Sequence, residues 1–343
     1  MIMITGVFLV EINLMSHNND IRLREIENIY IVYPRLQEIL NVIEKIYCLS
    51  GVSSEPNCLF ITGHSGVGKT CLIEHYLQNH PREELADRTC VPVFSVEIPS
   101  QASIKDIAST MLDALGDPNP ASGTKVSMTN KLYKLLYNCR VKLIIIDEFQ
   151  HLINNASDRK FDDVSNWLKS LINHSKTPIV LLGLPESEEI LLRNSQLRRR
   201  FYYSHSIDPF NVSTVNGDAE FVKFLSIIKD KSNFEFEDNF FLDKEFYLPL
   251  FFAANGTVAN IMKFIKLVFR HAINIDSNLI KREYFEYIYN KSIFRNESIF
   301  PNFQNPFSVS YETFMSWALV GSTLSTKKAF RSIARRKDNV PPI

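Results

Sequence analysis

Two short stretches hold the residue types that phosphoryl-transfer chemistry needs. GHSGVGKT, Gly63 to Thr70, fits G-x-x-x-x-G-K-[ST], with an apolar run, CLFIT, before it and a helical pattern, CLIEHYLQNH, after it. Glycines at such a turn let backbone N–H groups face phosphate oxygens, and the helix N-terminus that follows adds positive potential. Lys69 is placed to reach the β and γ phosphates, and the Thr70 hydroxyl to hold Mg2+. The expected nucleotide-binding set is Gly63, Ser65, Gly66, Val67, Gly68, Lys69, Thr70 and Cys71, with ATP and Mg2+ as the cofactors. His64 and Ser65 occupy positions that vary freely in such loops, so neither is given a catalytic role.

The second stretch is LIIIDEFQH, residues 143 to 151: four large aliphatics, then Asp147 and Glu148 side by side. An Asp at the end of an apolar strand holds the Mg2+ that bridges the phosphates in nucleoside triphosphatases, and Glu148 one residue on can polarise the attacking water as general base. The competing reading is a strand that ends in two solvated acids. The upstream phosphate loop, with another strand pattern, VPVFSVEI, between the two stretches, favours the site. Phe149 is expected to pack. Gln150 and His151 receive no role, since a His in a first helical turn is more often packed or solvated than a proton shuttle.

These side chains need a scaffold that brings residue 69 to residue 147. Five short apolar, β-branched runs supply it: 58–62, 91–98, 142–147, 178–183 and 202–207. Helical patterns such as IKDIASTMLDALG and VSNWLKSLINH separate most of them, and Pro34 suits the first turn of a helix carrying Leu36, Leu40, Ile43 and Ile46. Strands alternating with helices argue for a parallel sheet covered on both faces, and near-continuous apolar strands fit that burial. After about residue 215 helical patterns take over, and 18 of the 25 phenylalanines lie there. The expected organisation is an extension over 1–21, an α/β core over 22–211, an all-α lid with an aromatic core over 212–294, and a partly ordered basic tail over 295–343. The tail holds six Lys or Arg between Lys327 and Lys337.

Composition adds bounds. The 343 residues, 45% hydrophobic, suffice for a large core, and 38 basic against 38 acidic side chains leave nucleic-acid binding neither favoured nor excluded by global charge. Cys48, Cys58, Cys71, Cys90 and Cys139 form no C-x-x-C pair and read as reduced thiols of a cytoplasmic protein. The apolar N-terminus, MIMITGVFLVEINLM, lacks a basic flank and a cleavage site and is too short to span a bilayer. It reads as a docked strand, or as sequence upstream of a start at Met15.

With the extra strand, the Asp-Glu pair and the helical lid in view, the chain resembles an AAA+ ATPase. More narrowly, DEFQHLI, VSNWLKSLINHSKTPIVLLGLPES and NSQLRRRF are similar to the TniB/TnsC family of transposition regulators, over roughly residues 25–290. The resemblance implies an α/β fold, an AAA+ P-loop NTPase core with a five-stranded parallel sheet between helices and a C-terminal all-α lid. It also implies an ATP-dependent homo-oligomer, ring or filament, on double-stranded DNA, linking a transposase to a target-selection protein such as a TniQ-like adaptor. In NSQLRRRF, just before the fifth strand, Arg199 and Arg200 are the candidates for an arginine presented to a neighbouring subunit's γ-phosphate, while Arg198 is left to solvent or DNA. A basic helix end that satisfies the helix dipole is the plainer alternative.

Two positions depart from the family pattern. Where a polar sensor often ends the fourth strand, this sequence has Gly183 and Leu184 before Ser187, and in the lid Asn260 stands near a usual basic position, with Lys263 as a substitute. Both imply slow or partner-dependent hydrolysis. Phosphate contacts to the implied duplex need Lys or Arg without base readout, and Lys105, Lys125, Arg159 and Lys160 are the candidates, with the basic tail as another. Two rival readings stay open: a nucleotide-gated interaction scaffold with little hydrolysis, and a helicase loader or replication initiator of the same superfamily.

Overall fold

The computed structural model describes residues 19–52, 55–100, 102–153, 158–292 and 304–321. They divide into two compact units, an α/β unit over Pro34–Asp208 and a helical unit built from the chain up to Tyr33 and from Pro209 onward.

In the α/β unit the five apolar runs become five strands, β1 (Leu59–Thr62), β2 (Val93–Glu97), β3 (Leu143–Asp147), β4 (Ile179–Gly183) and β5 (Tyr203–Ser206), each within two residues of its expected bounds. They form one parallel sheet in the order β2-β3-β4-β1-β5. Every residue of β1, β3 and β4 is buried, which is why these strands read as unbroken apolar runs. β5, at an edge, alternates between partly exposed and exposed residues instead. Thr62 pairs with Gly183 on one side and Ser206 on the other, and Glu97 pairs with Asp147. Because β4 lies between β1 and β3, its end at Gly183 falls between the phosphate loop and the paired acids.

The flanking helices begin where their sequences provide caps. Ile104–Ala114 opens with a reciprocal capping box between Ser103 and Asp106, and Lys125–Asn138 is capped by Thr124. Together with Asp158–Ser175 they bury Ile107, Met111, Leu132, Leu136, Val164, Leu168 and Leu171 in one core with Phe60, Ile144, Ile146 and Leu181. Each such side chain contributes about 1.5–3 kcal/mol. Phe149 packs as expected: it is fully buried and meets Phe60 edge-on at 6.3 Å between ring centres.

The helical unit contains Val215–Lys231, Lys244–Ala253, Val258–Asn274, Arg282–Lys291 and Tyr311–Gly321. Phe240, Phe246, Phe264, Phe285 and Phe307 form its aromatic centre, with edge-on contacts such as Phe246 to Phe285 at 4.8 Å. Two expected boundaries differ here. Residues 22–33, assigned by sequence to the core, join the helical unit: Arg270 pairs with Glu27 at 2.6 Å, Lys266 Nζ donates to the Glu27 carbonyl at 2.7 Å, and Arg22 lies over the Phe234 ring. The expected tail contributes to the same unit, since Asn305, Phe307 and Phe314 are buried in it. The docked strand or late start expected before residue 19 and the basic run Lys327–Lys337 lie outside the described residues. Among the described residues all five cysteines are unbridged and no single helix is long and apolar enough to cross a membrane.

Candidate nucleotide-binding site

The loop after β1 folds as its glycines require. Gly66 and Gly68 take φ of 80° and 104°, a left-handed conformation that costs glycine little, and turn the chain into the helix Lys69–Gln78. Gly68 is the N-cap and, having no side chain, provides no acceptor to the first N–H groups of that helix. Val67 is fully buried and pins the loop. A Cβ on Gly63 would meet the Ile207 carbonyl oxygen at 2.6 Å, so glycine there is a packing requirement.

Lys69 is 6% exposed, and its Nζ donates to the carbonyls of Gly63 at 2.5 Å and His64 at 3.1 Å. Burial lowers its pKa, and the nearby Asp147 and Glu148 carboxylates oppose that shift. Thr70 Oγ1 donates to Asp147 Oδ2 at 3.3 Å, which brings together the hydroxyl and the carboxylate expected to share Mg2+. Asp147 is 5% exposed, and its other oxygen accepts from the Glu148 N–H at 2.8 Å. Burial raises the Asp147 carboxyl above its ordinary value, and the Glu148 charge adds to that; the bonds from Glu148 N–H and Thr70 and the Lys69 charge pull the other way. A buried carboxylate held high by desolvation and facing a hydroxyl fits a hard divalent cation, whose charge would offset both. Lys69, with its ammonium on loop carbonyls, fits a ligand that brings its own negative oxygens.

Glu148 sits at φ 55°, where a non-glycine residue is uncommon and mildly strained. The strain turns the chain sharply out of β3 into the short helix Gln150–Ile153, and Phe149 N–H donates to the Leu182 carbonyl at 2.9 Å. The Glu148 carboxylate is partly exposed. Its Oε2 accepts from Gln150 Nε2 and lies 3.5 Å from His151 Nε2. Gln150, given no role from sequence, is buried, and its Oε1 accepts from Leu184 N–H at 3.1 Å. The one sequence feature that bears on it is the glycine at the end of the fourth strand, Gly183, which leaves room for an amide arriving from elsewhere in the chain.

Lys69, Thr70, Asp147 and Glu148 thus converge at the carboxyl ends of β1 and β3. Arg199 and Arg200 do not join them. They end the helix Ser195–Arg200, whose N-cap Asn194 accepts from two backbone N–H groups, and the Arg200 carbonyl accepts from Cys58 N–H at 2.8 Å, at the start of β1. Four residues of strand, roughly 13 Å at ~3.3 Å per residue, separate that point from the phosphate loop. Arg198 and Arg199 are exposed and Arg200 is partly so. Lys105, Lys125, Arg159 and Lys160 lie in first helical turns, with Lys105, Lys125 and Arg159 exposed. In the helical unit Lys263 is exposed and Asn260 partly exposed.

Comparisons with known proteins agree with this geometry. The family model described as Bacterial TniB protein matches residues 22–208. Among solved structures, the ORC2 protein of Aeropyrum pernix in ADPNP-ADP complexes is similar at 14% identity and a TM-score of 0.57, over 93% of this chain and 85% of that one. The Aeropyrum pernix ORC1 protein in complex with DNA is similar at 13% identity and a TM-score of 0.52, over 90% of this chain and 84% of that one. Identities this low speak for the fold alone, and that fold is the AAA+ P-loop NTPase core, a five-stranded parallel sheet with flanking helices, followed by a helical region. The search of curated proteins finds no match.

Proposed function

The chain belongs to the bacterial TniB family, and from that premise we propose that it is an ATPase that regulates DNA transposition. It assembles on double-stranded DNA in its ATP-bound state, joins a target-selection protein such as a TniQ-like adaptor to a transposase, and disassembles on hydrolysis. The observation that carries this reading is the split site. The phosphate loop, Thr70, Asp147 and Glu148 stand together at one end of the sheet, while Arg199 and Arg200 stand at the far end of β1. Such a division suits a reaction completed by a second copy of the chain.

Within one copy, Lys69 would leave the Gly63 and His64 carbonyls for phosphate oxygens, and the loop N–H groups would fix their position. Thr70 and Asp147 would hold Mg2+, which would supply neutralisation of the phosphate charge. Glu148 would orient and deprotonate the attacking water. Arg199 or Arg200 of a neighbouring copy would face the charge that develops on the transferred group, a contribution of ~10³–10⁵ in rate for such arginines.

DNA contact is supported by charge placement. Lys105, Lys125, Arg159 and Lys160 occupy first turns of helices, where the macrodipole disfavours cations. A cation kept at such a position suits a phosphate of the duplex backbone. Asp158, next to two of them, is engaged by Arg193 at 2.7 Å.

Glu148→Gln tests the assignment. It is expected to keep or strengthen ATP-dependent assembly on duplex DNA, seen by electron microscopy and gel filtration, while turnover falls by ~10²–10⁴. Normal hydrolysis by this variant would remove Glu148 from the mechanism. A second reading, a nucleotide-gated scaffold with little turnover, draws on the engagement of Glu148 by Gln150. Phosphate release measured with and without DNA separates the two, because the scaffold stays slow in both.

A further inference from the structure

Gln150 is 3% exposed, and both ends of its amide are used. Nε2 donates to Glu148 Oε2, and Oε1 accepts from the N–H of Leu184, the first residue beyond β4, at 3.1 Å. A second tie runs from Phe149 N–H to the Leu182 carbonyl at 2.9 Å. The turn that carries Glu148 is therefore fastened to the end of β4 at two places, and only the Gln150 tie reaches the carboxylate. Space for the amide exists because residue 183 is glycine: an added Cβ would lie 3.2 Å from Gln150 Oε1 and 2.7 Å from Ser187 Oγ. Beyond Leu184 the chain runs through Pro185–Glu188 and Glu189–Arg193 directly into the arginine helix Ser195–Arg200.

We propose that Gln150 is a positioning residue that holds the Glu148 carboxylate in register with the end of β4, so that a shift of the 184–200 segment is passed to the general base through the Leu184 N–H and the Gln150 amide. This inference rests on the reading of Glu148 as general base. A carboxylate left to rotate about its side-chain bonds points at the water for only part of the time, and a displacement of about 1 Å at a reacting group can cost on the order of 10²-fold in rate. One amide donor on Oε2 restricts the rotation of the carboxylate and leaves Oε1 unengaged by Gln150. Because the same amide's oxygen is held by a backbone N–H in the connection to the arginine helix, docking of that helix on another copy has a covalent and hydrogen-bonded path back to Glu148.

Two variants break the tie from opposite ends. Gln150→Met keeps the side-chain length and removes both bonds. Leu184→Pro removes the N–H at the cost of a partly exposed leucine side chain; Leu184 already has φ −71° and ψ 158°, which proline accepts. Each is expected to lower kcat by about 10- to 100-fold while KM for ATP and the ADP-induced rise in melting temperature stay within about 2-fold and 2 °C of the wild type, the behaviour of a lost transition-state interaction. In a Glu148→Gln background, Gln150→Met should change the residual rate by less than 2-fold, since the two act as one unit. Wild-type kcat in either folded variant, or a raised KM with kcat unchanged, overturns the proposal. Should Gln150→Met not fold, Leu184→Pro decides alone. If Glu148→Gln itself hydrolyses ATP normally, the general-base reading has failed; if Glu148→Gln is inactive and Gln150→Met is not impaired, only the positioning role has.

Discussion

Gly63→Ala is the most direct probe of how tightly the phosphate loop is built. The added methyl would lie 2.6 Å from the Ile207 carbonyl oxygen and 2.8 Å from Val67 Cγ2. Neither neighbour can step aside easily. Ile207 is anchored by its own N–H, which donates to the Thr62 carbonyl at 2.7 Å, and Val67 is fully buried. Reaching ordinary contact requires a retreat of about 0.8 Å by backbone, which strains the bond from Ile207 to Thr62 and the bond from Gly63 N–H to the Gly183 carbonyl, 3.1 Å long. Overpacking of this kind costs about 1–3 kcal/mol, and each weakened bond up to about 1 kcal/mol more. A total of roughly 2–4 kcal/mol lowers the melting temperature of a unit this size by about 4–16 °C. The comparison that isolates the cause is Gly183→Ala, whose methyl meets Ser187 Oγ at 2.7 Å and Gln150 Oε1 at 3.2 Å. The Ser187 hydroxyl can rotate, and Ser187 Cβ and Gln150 Oε1, both at 3.2 Å, need give only a few tenths of an ångström, so the expected cost is about 1–2 kcal/mol, less than for Gly63→Ala, while turnover falls because the amide is displaced. Calorimetry of both variants, with and without Mg-ADP, gives the answer. A Gly63→Ala protein that melts within 2 °C of the wild type and binds ADP normally would refute the close approach.

Further outcomes follow from the same geometry. Arg199→Ala or Arg200→Ala is expected to lower DNA-stimulated turnover by ~10³ while nucleotide still raises the melting temperature; mixing such a variant with Glu148→Gln should restore activity, and intact mixed assemblies without rescue would refute a role in trans. Asp147→Asn should melt above the wild type at neutral pH without nucleotide. Its carboxyl, raised by burial, stabilises the fold when protonated and loses that contribution as pH rises through its folded-state pKa. The gap should close on acidification, and the Mg2+-dependent stabilisation by nucleotide should disappear; a variant melting below the wild type at neutral pH would contradict this. Burial pushes the Cys58 thiol up to about 12, so iodoacetamide at mildly alkaline pH should spare it in the folded protein and modify the exposed Cys71. Mg-ATP should slow modification of Cys71 by at least about 10-fold, as expected for a residue within the binding loop; peptide mass spectrometry showing equal labelling would remove Cys71 from the site.

What the sequence made legible follows from burial. β1, β3 and β4 are enclosed on both faces, and such strands leave a run of aliphatics that no helix of their length would need. The turn of the loop after β1 was legible because its backbone takes left-handed φ at Gly66 and Gly68, and the proposed roles of Lys69 and Thr70 were read from residue type and spacing. Residues 22–33 were misplaced for a different reason. An amphipathic pattern announces an apolar face but not which neighbour covers it, and the contacts of Glu27 with Lys266 and Arg270 span some 240 residues of chain. Gln150 was hidden because its importance depends on a rotamer and on a glycine 33 residues away.

The position of the arginines was legible in outline, and the parallel sheet turns that outline into an argument. In a parallel strand the two ends face opposite edges of the sheet, so a group docked at Cys58 and the proposed phosphate site after Thr62 are kept apart by the whole length of β1. No rearrangement that preserves the pairing of β1 with β4 and β5 carries the Arg200 main chain, bonded to Cys58, around to the loop of its own copy. A contribution of Arg199 or Arg200 to phosphoryl transfer therefore needs a second sheet presenting its carboxyl edge to the first one's amino edge. That head-to-tail contact is heterologous: each copy offers one edge and receives the other. Such contacts close into rings or propagate as helical filaments. Either form suits a duplex gripped through its phosphates, because successive copies then repeat the same cations along one axis.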